Sequence, residues 1–244
     1  PADLTAALGT AQLTPLEMAT GFPVFANGGS KVSSYLMERL YASDGSVLKQ
    51  AEPRQACVDC ALPNPEGGSA AVTPADSQLA PRVISEANAW IITDLMREVI
   101  RSGTGQRARA LGRGDIAGKT GTTNDGRDAW FSGFNADLVA TAWVGFDQER
   151  PLGTDEEGSH TALPMWIYFM RDALAGRPGH RLPMPDGVIT ARISPETGEL
   201  AGGNDPTAIF EYFLADHLPA GFDGGTGGTQ PGVPTPKKYE EPIF

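Results

Sequence analysis

Apolar residues recur at helical spacing in three stretches of the chain. In the first, Thr14-Pro15-Leu16-Glu17 predicts a helix start. Thr14 caps, Pro15 fits the first helical position and Glu17 completes a capping box. Leu16, Met18, Ala19, Phe22 and Phe25 supply the apolar positions; Pro23 weakens the interior and Asn27-Gly28-Gly29 ends it. The second stretch, residues 85–101, is the clearest helix, with Ser85 as cap and Trp90, Ile91, Leu95, Val99 and Ile100 close to helical spacing. The third opens near Pro164 and places Trp166, Ile167, Phe169, Met170, Ala173 and Leu174 on one apolar face, read as core packing. Gly176, Pro178 and Gly179 close it.

Strand patterns lie between and after these helices. Residues 35–41 and the return at Val47 and Leu48 read as a hairpin about the Asp44-Gly45 turn. A strand entered through Ile116 and Ala117, followed by residues 128–134 and 138–146, predicts an antiparallel meander. Its turns are residues 123–127 and Asn135-Ala136-Asp137. Val188, Thr190, Arg192 and Ile193 form a short strand, Pro195-Glu196-Thr197-Gly198 a turn, and residues 208–213 a short apolar segment. Residues 51–81, rich in Pro, Ala, Gly and Ser, read as a surface excursion. Arg107, Arg109 and Arg113 fall in a loop, and the acidic residues 147–160 in a solvated one. From Gly221 onward the composition predicts disorder.

Composition narrows the function classes. With 244 residues, 40% of them hydrophobic, the chain suffices for one sizeable core or two small domains. Lys+Arg 19 against Asp+Glu 30 leaves a net charge of −11, which argues against a nucleic-acid or anionic-membrane surface. No apolar run is long enough to span a bilayer and no signal peptide is read. The chain opens at Pro1 without an initiator methionine, as expected of a fragment. Two cysteines, Cys57 and Cys60, cannot complete a four-cysteine zinc site, and His160, His180 and His217 are scattered, so neither metal nor cofactor is expected. Pro53, Pro63 and Pro65 around the pair favour a structural disulfide in an oxidising compartment over a redox-active helix start; an inert reduced pair is the alternative.

The chemistry concentrates in Asp115-Ile116-Ala117-Gly118-Lys119-Thr120-Gly121-Thr122-Thr123-Asn124-Asp125-Gly126. A cation, several hydroxyls and glycine backbone open to close approach suit a carboxylate or an oxyanion. A phosphate loop is excluded. Its glycine must stand four residues before the Gly-Lys pair, and that position is Arg113; the chain after Thr120 is also turn chemistry rather than a helix. A Gly/Thr-rich hairpin without a ligand is the plain alternative.

Lys119-Thr120-Gly121-Thr122-Thr123-Asn124-Asp125 followed by Asp128-Ala129-Trp130-Phe131-Ser132-Gly133-Phe134 resembles the transpeptidase domain of class A penicillin-binding proteins. Ala7-Leu8-Gly9, Leu13-Thr14-Pro15-Leu16-Glu17-Met18-Ala19, Phe25-Ala26-Asn27-Gly28-Gly29 and residues 140–147 match in order and spacing. The cysteine pair and Pro195-Glu196-Thr197-Gly198 point to the 1A-type bifunctional synthases of Gram-negative bacteria. The resemblance implies an α+β fold, a five-stranded antiparallel sheet flanked by helices, of which this chain holds only the C-terminal part. It implies residues 1–180 as transpeptidase domain, 181–220 as a C-terminal extension and 221–244 as a disordered tail.

It implies acyl transfer: a serine attacks the penultimate D-alanine carbonyl of a peptidoglycan stem peptide, an amine resolves the acyl-enzyme into a cross-link, and β-lactams trap the serine. Lys119 would supply positive potential, Thr120 and Thr122 would bind the carboxylate of substrate or drug, and the Thr122 N–H would be an oxyanion donor. Gly121 would keep the cleft clear. A D,D-carboxypeptidase, a serine β-lactamase or a non-catalytic β-lactam sensor or scaffold of the same fold are the alternatives. The implied site is the periplasm, the membrane being met only through an N-terminal anchor outside this chain.

The nucleophile departs from the pattern. Ser46-Val47-Leu48-Lys49 fits Ser-x-x-Lys literally, but it lies in a predicted strand, where i and i+3 face opposite sides. It also stands only 73 positions (119 minus 46) before Lys119, so it reads as a decoy. No Ser-x-Asn precedes Lys119. Both elements are expected upstream of Pro1, with the membrane helix and a glycosyltransferase domain, so the chain is expected to be inactive alone.

Overall fold

The structure, a computed structural model, describes residue 5 and residues 9–56 and 78–221. Cys57, Cys60, the middle of the 51–81 excursion, most of Ala7-Leu8-Gly9 and residues 222–244 lie outside the described residues. The chain divides into two compact units, Pro1–Pro183 and Met184–Phe244.

In the first unit, α1 (Pro15–Gly21) begins as its capping box dictates. The Glu17 N–H donates to Thr14 Oγ1 at 3.2 Å and the Thr14 N–H donates to the Glu17 carboxylate at 2.7 Å. The single helix expected through Phe25 is instead two. Pro23 offers no N–H to the ladder, so α1 stops and α2 (Pro23–Ala26) starts afresh with proline in its first turn. Phe22 between them packs edge-on to Phe25 at 6.1 Å and to Phe134 at 6.2 Å.

The hairpin is present but shorter than its pattern suggests: β1 (Arg39–Tyr41) pairs antiparallel with β2 (Val47–Gln50) across a turn holding Gly45 at φ 84°. Tyr35, Leu36, Met37, Leu40, Tyr41, Val47 and Leu48 are all exposed.

Helix α3 (Glu86–Arg101) is capped by Ser85, whose hydroxyl accepts from the Asn88 N–H. Its buried face runs Ala89, Thr93, Met96, Arg97 and Ile100, so the helix is turned from the face its large apolar residues suggested. Of those, Ile100 is buried, Trp90, Ile91 and Val99 are half-buried and Leu95 is exposed. The arginine loop expected next is a 3₁₀ helix, Gln106–Leu111. Gly105 before it and the left-handed Gly112 after it bound a turn that buries Ala108.

The meander forms as predicted: β3 (Ala117–Thr122), β4 (Ala129–Phe134) and β5 (Val139–Val144), antiparallel in the order β3-β4-β5. Core lies on both faces. Ala129 and Phe131 belong to a cluster with Leu163, Trp166 and Met170; Ala117 and Phe134 join Ala26 and Met96, with Phe22, Phe25 and Ile92 packed around them. A single π turn, Gly158–Ala162, at the end of the acidic loop leads into α4 (Leu163–Ala173). The Trp166 Nε1–H donates to the carbonyls of Gly133 (3.3 Å) and Ala140 (3.0 Å), so one indole satisfies two strands. Phe169 departs from the expected apolar face and is exposed. At 100° per residue it falls about 110° from the centre of the arc defined by Leu163, Trp166, Ile167, Met170 and Leu174.

In the second unit, β6 (Val188–Ile193) pairs antiparallel with β7 (Ile209–Leu214) through six residues each. The 208–213 apolar segment is thus a strand. The Arg192 guanidinium donates to the carbonyls of Gly203 and Asp205, tying down the connection.

Candidate functional site

Strand β3 pairs on one side with β4 and, among the described residues, with no strand on the other. Strand alternation puts Lys119 and Gly121 on one face and Thr120 and Thr122 on the opposite face. The lysine stem reaches back over the strand. Its Nζ donates to the Thr120 carbonyl at 3.0 Å and lies 3.5 Å from Thr120 Oγ1. Lys119 is exposed and meets no carboxylate among the described residues. Its charge is therefore available to an anion brought to this edge.

The two threonines are differently held. Thr120 Oγ1 lies 2.6 Å from Thr104 Oγ1, in the bend between α3 and the 3₁₀ helix. Thr122 Oγ1 accepts from the Gly158 N–H at 3.1 Å, which fixes the hydroxyl while leaving its proton to donate. Gly158 reaches that position because it lacks a side chain. A Cβ there would stand 2.4 Å from the Trp130 carbonyl oxygen and 2.5 Å from that of Gly121. At Gly121 a Cβ would come within 3.1 Å of the Trp130 Cβ, its cross-strand partner. The glycine thus has a packing reason beside the one expected for a ligand.

Both ends of the strand are tied down. At its start, the Arg113 guanidinium grips buried Asp115 through Nε (3.0 Å) and Nη2 (2.7 Å), and Asn135 Nδ2 donates to the same carboxylate at 3.1 Å. Burial alone pushes the Asp115 carboxyl up, but the Arg113 and Asn135 hydrogen bonds together outweigh it and hold the group below the usual range. Asn135 Oδ1 in turn accepts the N–H groups of Asp137 and Leu138, closing the β4–β5 turn. At the far end, Asp128 takes the Trp143 Nε1–H at 2.9 Å, and its own N–H donates to Thr123 Oγ1 at 2.8 Å.

Sequence reasoning brought out Lys119, Thr120, Gly121 and Thr122, and the structure sets them on one edge strand. It passed over Thr104 and Gly158, and gave no anchoring role to Asp115, Asp128 or Asn135. The Asn-x-Asp turn at 135 offered a local signal; Thr104 and Gly158 are joined to β3 only by tertiary contact. Ser46 stands apart from the strand's chemistry. Its hydroxyl donates to Asp44 Oδ1 at 2.6 Å in a hairpin turn, and Lys49 lies in β2 opposite Leu40. Neither begins a helix, in keeping with a decoy.

The family model of the penicillin binding protein transpeptidase domain matches residues 2–150. Penicillin-binding protein 1A of Pseudomonas aeruginosa is 41% identical over 268 aligned positions, which take in 100% of this chain and 33% of that protein. Penicillin-binding protein 1A of Neisseria lactamica is 40% identical over 95% of this chain and 25% of its own length. The chain therefore spans a third or less of these curated relatives. Among solved structures, penicillin-binding protein 1A of Haemophilus influenzae superposes with a TM-score of 0.77 at 37% identity, covering 90% of this chain and 34% of that one. PonA1 of Mycobacterium tuberculosis shares the fold, with a TM-score of 0.56 at 24% identity over 75% of this chain and 44% of that one. The α+β architecture of antiparallel strands flanked by helices is common to this chain and these neighbours; three strands of the expected five-stranded sheet are described here, in the first unit. Family match, relatives and fold agree with the Lys-Thr-Gly-Thr strand: the chain belongs to the class A penicillin-binding proteins, 1A type, as part of their transpeptidase domain.

Proposed function

We propose that this chain supplies one wall of a serine D,D-transpeptidase site within a bifunctional peptidoglycan synthase of the periplasm. The observation that carries the reading is an edge strand with an unpaired ammonium at Lys119 and an anchored but proton-bearing hydroxyl at Thr122. In this reading the Thr120 and Thr122 hydroxyls bind the terminal carboxylate of a D-alanyl-D-alanine stem peptide, or that of a β-lactam. Lys119 supplies the positive field that draws it in. The Thr122 N–H donates to the oxyanion as the tetrahedral intermediate forms, an interaction typically worth on the order of 10²-fold in rate or more. The serine that attacks, and the lysine that takes its proton, come from the preceding part of the polypeptide, which also carries the glycosyltransferase and the membrane anchor. Residues 1–180 are the transpeptidase portion, 181–220 an extension and 221–244 a tail.

The described residues hold no helix long and apolar enough to cross a membrane. The chain alone forms no acyl-enzyme. Fluorescent penicillin added to the 244-residue chain is expected to leave no covalent label, while co-expression with the preceding half of a 1A-type synthase restores labelling on that half. A label on the isolated chain, above all at Ser46, would overturn this assignment.

A further inference from the structure

A cavity of about 380 Å³ opens beside the start of β3, and its walls carry five guanidiniums and no carboxylate. They are Arg97 and Arg101 of α3, Arg109 of the 3₁₀ helix, Arg113 before β3, and Arg181. Such a concentration is unexpected in a chain of net charge −11. Three carboxylates engage these arginines from outside the cavity. Asp115 takes Arg113; Glu98 takes Arg101 at 2.8 Å; Asp94 is shared, at 3.5 Å from Arg97 and 3.4 Å from Arg101. Arg181 donates to the Gly114 carbonyl. Five positive charges against three negative leave a surplus of two.

Two groups are conspicuously underused. Arg97 is 5% exposed, yet its Nε has no hydrogen-bond partner among the described residues. That nitrogen has no water-accessible surface, so Arg97 acts on the cavity through its charge and the outer nitrogens of its guanidinium. Burial, with the neighbouring charge of Arg181, already lowers the pKa of Arg97, a sign of crowded positive potential. The Arg109 guanidinium is exposed and has neither ion pair nor hydrogen bond among the described residues.

We propose that this cavity binds a dianionic phosphate group, with Arg97 and Arg109 donating to its oxygens. The surplus of two charges matches a dianion. The arginines converge from α3, the 3₁₀ helix, the approach to β3 and the segment after α4. A tetrahedral phosphate presents oxygens in all those directions, whereas a planar carboxylate satisfies one or two forks. The volume exceeds what a lone phosphate fills, since a water occupies about 30 Å³ in the liquid. The floor of Ile100 and Ile116 suits a small organic group on the phosphorus, so the ligand class is a phosphomonoester.

The site is separate from the Thr120–Thr122 hydroxyls, so its test does not depend on acylation. Calorimetric titration of the 244-residue chain with inorganic phosphate, at low ionic strength and above the second phosphate pKa, is expected to show saturable one-to-one binding. Arg109→Gln weakens it roughly tenfold or more, the loss of a charge-assisted donor pair. Arg107→Gln, in the same 3₁₀ helix but outside the cavity wall, changes it by about twofold at most, since exposed charges at that range are screened. Binding weakens as pH falls and phosphate becomes a monoanion. Absent saturation, equal loss in both variants, or malonate binding as tightly as phosphate would each overturn the proposal; the last would mark a seat for carboxylates of a polypeptide instead.

Discussion

Gly158→Ala tests the contact on which the Lys-Thr-Gly-Thr strand depends. The new methyl would sit 2.4 Å from one backbone oxygen and 2.5 Å from another, and 3.2 Å from the Gly121 nitrogen. All three belong to the β3–β4 ladder, so no flexible side chain can swing aside. The π turn must lift instead, and its N–H then leaves Thr122 Oγ1. Overpacking of this kind costs about 1–3 kcal/mol, and the hydrogen bond adds about 1 kcal/mol, so the loss is about 2–4 kcal/mol. For a chain this size that lowers the melting midpoint by roughly 4–16 °C. All four tryptophans, Trp90, Trp130, Trp143 and Trp166, lie in the first unit, so their fluorescence during urea unfolding reports that unit alone. Thr122→Val removes the hydroxyl without the clash and is expected to cost about 1 kcal/mol. Because the lifted turn has already lost that bond, the double variant is expected to be little worse than Gly158→Ala. A Gly158→Ala protein within about 0.5 kcal/mol of the parent, or strictly additive variants, would refute the account.

Two further outcomes follow from the anchors described above. Asp115 is depressed in the folded state, so its contribution is present above the ordinary aspartate value of about 3.9 and lost as pH falls through the lower folded value. Asp115→Asn is expected to cost about 3 kcal/mol near neutrality and to flatten the fall in urea midpoint below about pH 4; an unchanged slope would exclude Asp115 as a source of acid sensitivity. Thr14→Ala removes the hydroxyl that accepts the Glu17 N–H while keeping the backbone N–H that donates to the Glu17 carboxylate, and is expected to cost about 1 kcal/mol, speeding amide exchange of residues 16–18 about fivefold while leaving α3 untouched.

What could be read in advance was local. Thr14, Glu17 and Ser85 announce helix starts because a cap is satisfied within three residues, whatever the rest of the chain does. The meander was readable because apolar alternation and turn residues agree over residues 116–146. The orientation of α3 was not. Its largest apolar residues suggested one face, but the helix buries Ala89, Thr93 and Arg97, small or charged residues whose burial is decided by β3 and α2. Phe169 misled for a related reason, since apolar identity does not specify which side of α4 meets the sheet. Lys119 to Thr122 stood out through their chemistry. Gly158 could not, because its role exists only once a residue 36 positions later folds back against Thr122.

The β1–β2 hairpin bears on the fate of the chain in a cell. Leu36 is 103% exposed and Leu48 63%, within a run that also leaves Tyr35, Met37, Leu40, Tyr41 and Val47 in water. Each such side chain forgoes about 1.5–3 kcal/mol of burial, and a two-stranded ribbon holds itself together only marginally. Extended, greasy and loosely held segments are what holdase chaperones grip and what proteases thread. Synthesised by itself, the chain is expected to draw that attention, because it leaves this apolar surface uncovered.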